Sequence, residues 1–175
     1  DNLPGFITIN PSGSHGGAGA WSSAFLPARF SGTRIGGGAG GLQVPFIHSP
    51  LEHPAAQRRE LDLLAAFNND HLAQRGPDPE LESRIASYEL AARMQLAAAD
   101  ALDVNRETQS TLDSYGIGKE PTDSYGRRCL IARRLVERGV RFVQLYINGQ
   151  IWDNHTALAE GVKSSCDRTD QPVAA

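Results

Sequence analysis

Hydrophobic patterning changes character along the chain. Residues 5 to 9, GFITI, form a short run of β-branched and aromatic residues closed by Asn10-Pro11, which predicts a buried strand within residues 1 to 10. From residue 11 to 54 neither a helical nor a strand period is sustained, and the segment PSGSHGGAGAWSSAFLPARFSGTRIGGGAGG is crowded with Gly, Ser and Pro. A structureless stretch of that length inside a domain is either a functional loop region or a flexible excursion. Trp21, Phe25, Leu26 and Phe30 favour the first, because a plain linker rarely carries so much apolar surface.

From residue 55 the spacing turns helical. Leu61, Leu64, Ala65, Asn68 and Leu72 recur at three- and four-residue steps before Gly76-Pro77, predicting an amphipathic helix over residues 55 to 75. Asp78-Pro79-Glu80 opens a second helix, with Asp78 as N-cap and Pro79 at the first helical position; it runs to about Ala99 with Leu81, Ile85, Tyr88 and Ala92 on one face. So short a connection predicts an antiparallel helical hairpin over residues 55 to 99. Residues 103 to 123 read as irregular, with one helical turn around TQSTLDSYG.

Residues 124 to 175 predict helix, strand, loop and helix. SYGRRCLIARRLVERG places Cys129, Ile131, Ala132, Leu135 and Val136 on one side of a helix ended by Gly139, with Arg133, Arg134, Glu137 and Arg138 opposite. VRFVQLYI, residues 140 to 147, then reads as a strand covered on both faces. This is the αβ unit of a parallel sheet, so the expected class is α/β. In such sheets ligands bind beyond the carboxyl ends of the strands, and here that place holds Trp152, Asp153, Asn154 and His155.

Bulk properties narrow the choices. At 175 residues the chain is one domain or a piece of one. With 17 Lys+Arg against 20 Asp+Glu it has no basic excess, and its densest basic run is interrupted by apolar residues at helical spacing, so a nucleic-acid partner is not expected. No apolar run reaches the roughly 18 residues of a membrane helix. The strand-like start without Met, and an end inside a helical pattern, predict an internal excerpt. Cys129 and Cys166 are too few and too far apart for a disulfide framework or a metal knuckle.

Asp153 and His155 are a carboxylate and an imidazole two residues apart, both able to ligate a divalent metal, although a zinc site needs at least one more ligand. The competing explanation makes Asp153 or Asn154 the cap of a helix beginning near Thr156, with His155 solvated; spacing alone favours it. His15, His48, His53 and His71 have no comparable setting. A GxSxG elbow is missing, and GGGAGG at residues 36 to 41 lacks the Lys-Ser/Thr of a triphosphate-binding loop.

Five stretches, NLPGFITI, GAWSSAFLPARFSGT, QRRELDLLAAFNNDH, DPELESRIASYELAARMQ and YGRRCLIARRLVERGVRFVQLYINGQIWDNH, together resemble a large bacterial sulfatase-like family, the domain-of-unknown-function family 1501. The resemblance implies part of an alkaline phosphatase-like parallel-sheet sandwich. It also implies metal-dependent hydrolysis of small-molecule sulfate or phosphate esters, and export from the cell.

It matches Trp152, Asp153 and His155 to a Gly-Trp-Asp-x-His stretch, with Ile151 in place of the Gly. That makes Asp153 and His155 expected ligands of a divalent ion (Zn, Ca, Mg or Mn), and Trp152 and Trp21 expected substrate contacts. The nucleophile and remaining ligands are expected outside the chain, leaving the excerpt inactive alone. Cys129 and Arg133 are spaced like the sulfatase activation motif, but Ile131 stands where that motif has Pro or Ala, so Cys129 is expected to be a packing residue. Two rival expectations are a non-catalytic binding or surface-associated module that keeps the fold, and a hairpin at residues 55 to 99 that mediates homo-oligomerisation.

Overall fold

The computed structural model describes residues 3–10, 17–27, 30–36, 54–76, 78–147 and 149–175. The segments with His15, GGGAGG, His48 and His53 therefore lie largely or wholly outside the described residues. Three short strands, β1 (Phe6–Ile9), β2 (Thr33–Ile35) and β3 (Phe142–Leu145), make a parallel sheet in the order β2-β1-β3. The expected α/β class is therefore present, with the chain's first strand at the centre of the sheet. β2 falls inside the stretch read as a loop. Its three residues, between Gly32 and Gly36, are too few to display an alternation, and its pairing partner is a strand more than 20 residues away.

Register aligns Ile7 with Val143, and Ile9 with both Leu145 and Ile35, so one sheet face is aliphatic. That face meets Leu130, Ile131 and Leu135 of α4 (Asp123–Glu137). Each fully buried Ile or Leu contributes roughly 2 kcal/mol by removal from water. The opposite ladder carries Phe6 against Phe142, with ring centroids 5.2 Å apart. Coverage on both faces describes β1 and not β3: Phe142 is 57% exposed.

Two long helices, α1 (Pro54–Arg75) and α2 (Pro79–Leu102), cover the stretch expected to be a hairpin and contact each other. Asp78 caps α2 by accepting from the Glu80 and Leu81 amides at 3.1 and 3.0 Å. The predicted stripes are only partly buried, since Leu64 and Tyr88 are exposed. The hairpin joins the core through the later part of α2, where Met94 and Ala101 are buried. A short α3 (Gln109–Ser114), capped by the Thr108 hydroxyl, leads into α4.

α4 ends as the sequence indicates. Gly139 takes φ 92°, its amide donates to Val136, and the Val140 amide reaches back to the Leu135 carbonyl at 3.1 Å. This paired closure satisfies carbonyls left over at the helix end and turns the chain into β3. The α4 wheel differs from expectation in two places: Val136 is exposed and Arg134 is buried, and Arg128, which the wheel left unassigned, is buried as well. Each of these guanidiniums finds acceptors in a neighbouring element, which periodicity cannot register.

Candidate site at the end of the third strand

The strand ends that define the site are tied together by the backbone. The Asn10 amide donates to Ile35 O at 2.7 Å, and the Tyr146 amide donates to Ile9 O at 3.0 Å. All three strands thus finish level. Asn10 closes β1 with φ 55°, a left-handed conformation that Asn tolerates better than most residues. Arg128 holds β3 against α4 by donating from Nη1 to Tyr146 O at 3.0 Å.

Beyond β3 the chain turns at Gln150 to Asp153, where the Asp153 amide donates to Gln150 O at 3.0 Å. It then enters α5 (Leu158–Ala174). The loop is anchored from α5: Ser165, which is buried, donates through Oγ to Ile151 O at 2.6 Å. Asn154 packs on Gly161, where a Cβ would overlap its side-chain oxygen. That contact is not legible in the sequence, because it depends on how α5 approaches the loop. Its only trace is a Gly in the first turn of a helix, where Gly is otherwise a poor choice.

The two expected metal ligands are brought together. His155 Nε2 lies 3.1 Å from Asp153 Oδ1. Both point into solvent, with side chains 86% and 55% exposed respectively. Neither residue caps the helix, nor does Asn154. The cap position is Ala157, left-handed at φ 50° and without a side-chain hydrogen bond to the helix. The alternative in which this cluster serves as a helix cap is therefore set aside, and the solvent-exposed imidazole rests against the Asp153 carboxylate.

Donors 3.1 Å apart fit as two ligands of one ion, since bonds of about 2.0–2.2 Å to a shared zinc separate neighbouring ligand atoms by little more than that. Among the described residues, no group of three or more His, Cys, Asp or Glu side chains is placed to hold a metal.

Trp152 is half-exposed beside the pair. Trp21 sits elsewhere on the sheet: the Arg34 guanidinium of β2 lies 5.3 Å over its ring, and the Gly32 amide donates to its carbonyl at 2.7 Å. The order β2-β1-β3 puts the central strand between Trp21's partner Arg34 and the strand leading to Trp152. Cys129 is half-buried against the core, and burial pushes its thiol up to about 11, opposite to what a reactive cysteine needs.

A family model described as a protein of unknown function, DUF1501, matches residues 1–175. No curated protein and no solved structure matches the chain.

Proposed function

The chain belongs to the DUF1501 family, and from that premise we propose that it forms part of a metal-dependent hydrolase acting on small-molecule sulfate or phosphate esters. The observation that carries this reading is the Asp153–His155 pair, 3.1 Å apart on the loop leaving a parallel strand. The sulfatase-like resemblance supports the reaction class and an alkaline phosphatase-like sandwich as its frame.

Asp153 supplies an anionic oxygen donor and His155 a neutral nitrogen donor, a mixture suited to a divalent ion of the Zn, Ca, Mg or Mn type. When bound, such an ion supplies Lewis-acid polarisation of the ester oxygen. The residues of the chain have the positioning role. Ser165 and Gly161 fix the loop through Ile151 and Asn154, and Trp152 offers an apolar wall to the organic part of the ester. Trp21, under Arg34, would reach substrate from the side of β2. The nucleophile and further ligands are assigned to no residue of the chain. Export from the cell and self-association through the hairpin belong to the same reading.

A second reading, a binding or surface-associated module without catalysis, is favoured by the exposure of the pair, whose side chains rest against each other at 3.1 Å. Elemental mass spectrometry of the parent protein beside an Asp153→Ala/His155→Ala variant separates the two. About one or two divalent ions in the parent, with at least one lost in the variant, supports the hydrolase. No metal in either, after growth and dialysis with divalent ions, leaves the binding module.

A further inference from the structure

A cleft of about 280 Å³ opens between the start of α4, α5 and the chain leaving β3. Its polar lining is Glu120, Ser124, Tyr125, Arg128 and Arg168, with Pro121 and Ile147 as apolar walls. Neither Asp153 nor His155 lines it, so what it binds does not depend on the hydrolase reading. We propose that this cleft is a binding site for a small tetrahedral oxyanion, phosphate or sulfate, held by Arg128 and Arg168 with the Ser124 hydroxyl.

Arg128 makes the case. It is 7% exposed, yet both groups it is seen to engage are neutral: Nη1 donates to Tyr146 O at 3.0 Å and Nη2 to Ser124 Oγ at 3.1 Å. No carboxylate pairs with it among the described residues. A buried charge is costly unless it is paired, and a guanidinium has five N–H donors, more than these two acceptors use. Burial also draws its pKa down, and no carboxylate is among the groups acting on it.

The two contacts fix the plane of the guanidinium, so a ligand meets a preorganised fork of the kind that recognises oxyanions. Ser124 accepts from Arg128 and keeps its own proton to donate. Arg168, exposed on α5, brings a second cation with no ion pair of its own among the described residues. Two arginines against Glu120 leave the lining one positive charge in excess, which one bound oxyanion reverses or cancels. The space exceeds a bare tetrahedral ion and leaves room for a small organic substituent beside Tyr125, Pro121 and Ile147.

The test is calorimetric titration of the full chain with inorganic phosphate, sulfate and acetate at low ionic strength. It compares the parent with Arg168→Glu, Arg168→Gln and Arg133→Glu, the last an arginine of α4 outside the cleft. Saturable phosphate and sulfate binding is expected, tighter than acetate, weakened about tenfold or more by Arg168→Glu and less by Arg168→Gln. Phosphate binding by Arg133→Glu should match the parent, and the phosphate-free unfolding midpoint of the Arg168 variants should be unaffected. Should Arg168→Glu fail to fold, Arg168→Gln carries the comparison alone. Lack of saturable binding, acetate binding as tight as phosphate, binding unchanged in the Arg168 variants, or an equal loss in Arg133→Glu would each overturn the assignment.

Discussion

Arg134 on α4 is ion-paired with Glu107, which lies 27 residues earlier in the chain; their side chains are only 7% and 18% exposed. The same guanidinium donates through Nε to Ala101 O at 3.0 Å and through Nη2 to Asp100 O at 2.7 Å. It therefore satisfies two carbonyls at the end of α2, groups that a helix cannot satisfy internally. Arg134 thus adds a polar clamp between the helical hairpin and the αβ unit to the core packing of Met94 and Ala101, and Arg138 adds an exposed contact to Asp100 at 2.7 Å.

Replacing Arg134 by Met should cost about 3 kcal/mol, because it leaves Glu107 and the α2 carbonyls without their donor in a buried setting. Urea denaturation should show the loss as a lower midpoint, and Lys at the same position should restore less than half of it, since an ammonium cannot span all three acceptors. A variant within about 0.5 kcal/mol of the parent would mean that the clamp contributes nothing.

Gly161→Ala tests whether the site loop is positioned from α5. A Cβ there overlaps the Asn154 side chain, so Asn154, and with it the adjoining Asp153 and His155, must move. Divalent-metal retention by the parent protein should fall, while global stability drops by about 1–2 kcal/mol. Unchanged metal content would place the control of loop geometry elsewhere.

Cys129 should be unreactive. With its thiol raised to about 11 by burial, only about a thousandth is thiolate at pH 8, and the thiolate is the nucleophile. Mass-spectrometric alkylation kinetics in native buffer should show Cys129 labelling far more slowly than in denaturant. Rapid native labelling would contradict the packing shown here.

Asp123 gives a pH signature. Burial pulls its carboxyl upward, but the hydrogen bonds from Arg127, at 3.1 Å to both oxygens, and from the Gly118 amide at 2.7 Å, together with the Arg127 charge, hold it below the usual carboxylate value. A depressed folded-state pKa gives stability that is present above the unfolded value near 3.9 and lost as pH falls through the folded one. Asp123→Asn should therefore be less stable than the parent at pH 6, with the gap in denaturation midpoints closing as pH falls below the unfolded carboxylate value of about 3.9. A gap that stays constant across that range would remove the carboxylate from the explanation.

Much of the fold was readable because its signals are local. Asp78-Pro79 marks a helix start by cap chemistry, Gly139 marks a helix stop by its left-handed conformation, and the runs around Ile7 and Val143 mark strands by side-chain shape. Asp153 and His155 stood out for a similar reason, as two ligand-type residues just after such a strand. Val136 and Leu64 show the limit: both fit a helical stripe, yet no neighbour arrives to cover them. β2 was hidden because three residues carry no period of their own.

The sequence by itself determined the long helices, the strands around Ile7 and Val143, the start of α2 and the stop of α4, and the short loop that holds the candidate ligands. Only the tertiary structure decided that Arg128 and Arg134 would be buried, that β2 would pair beside β1, that Asn154 would rest on Gly161, and that Trp21 would lie under Arg34 on the other side of the central strand. Caps, periods and turns act over a few residues and are written in adjacent letters. The fate of a charged side chain depends on which acceptors another element brings within about 3 Å, and that is set by packing.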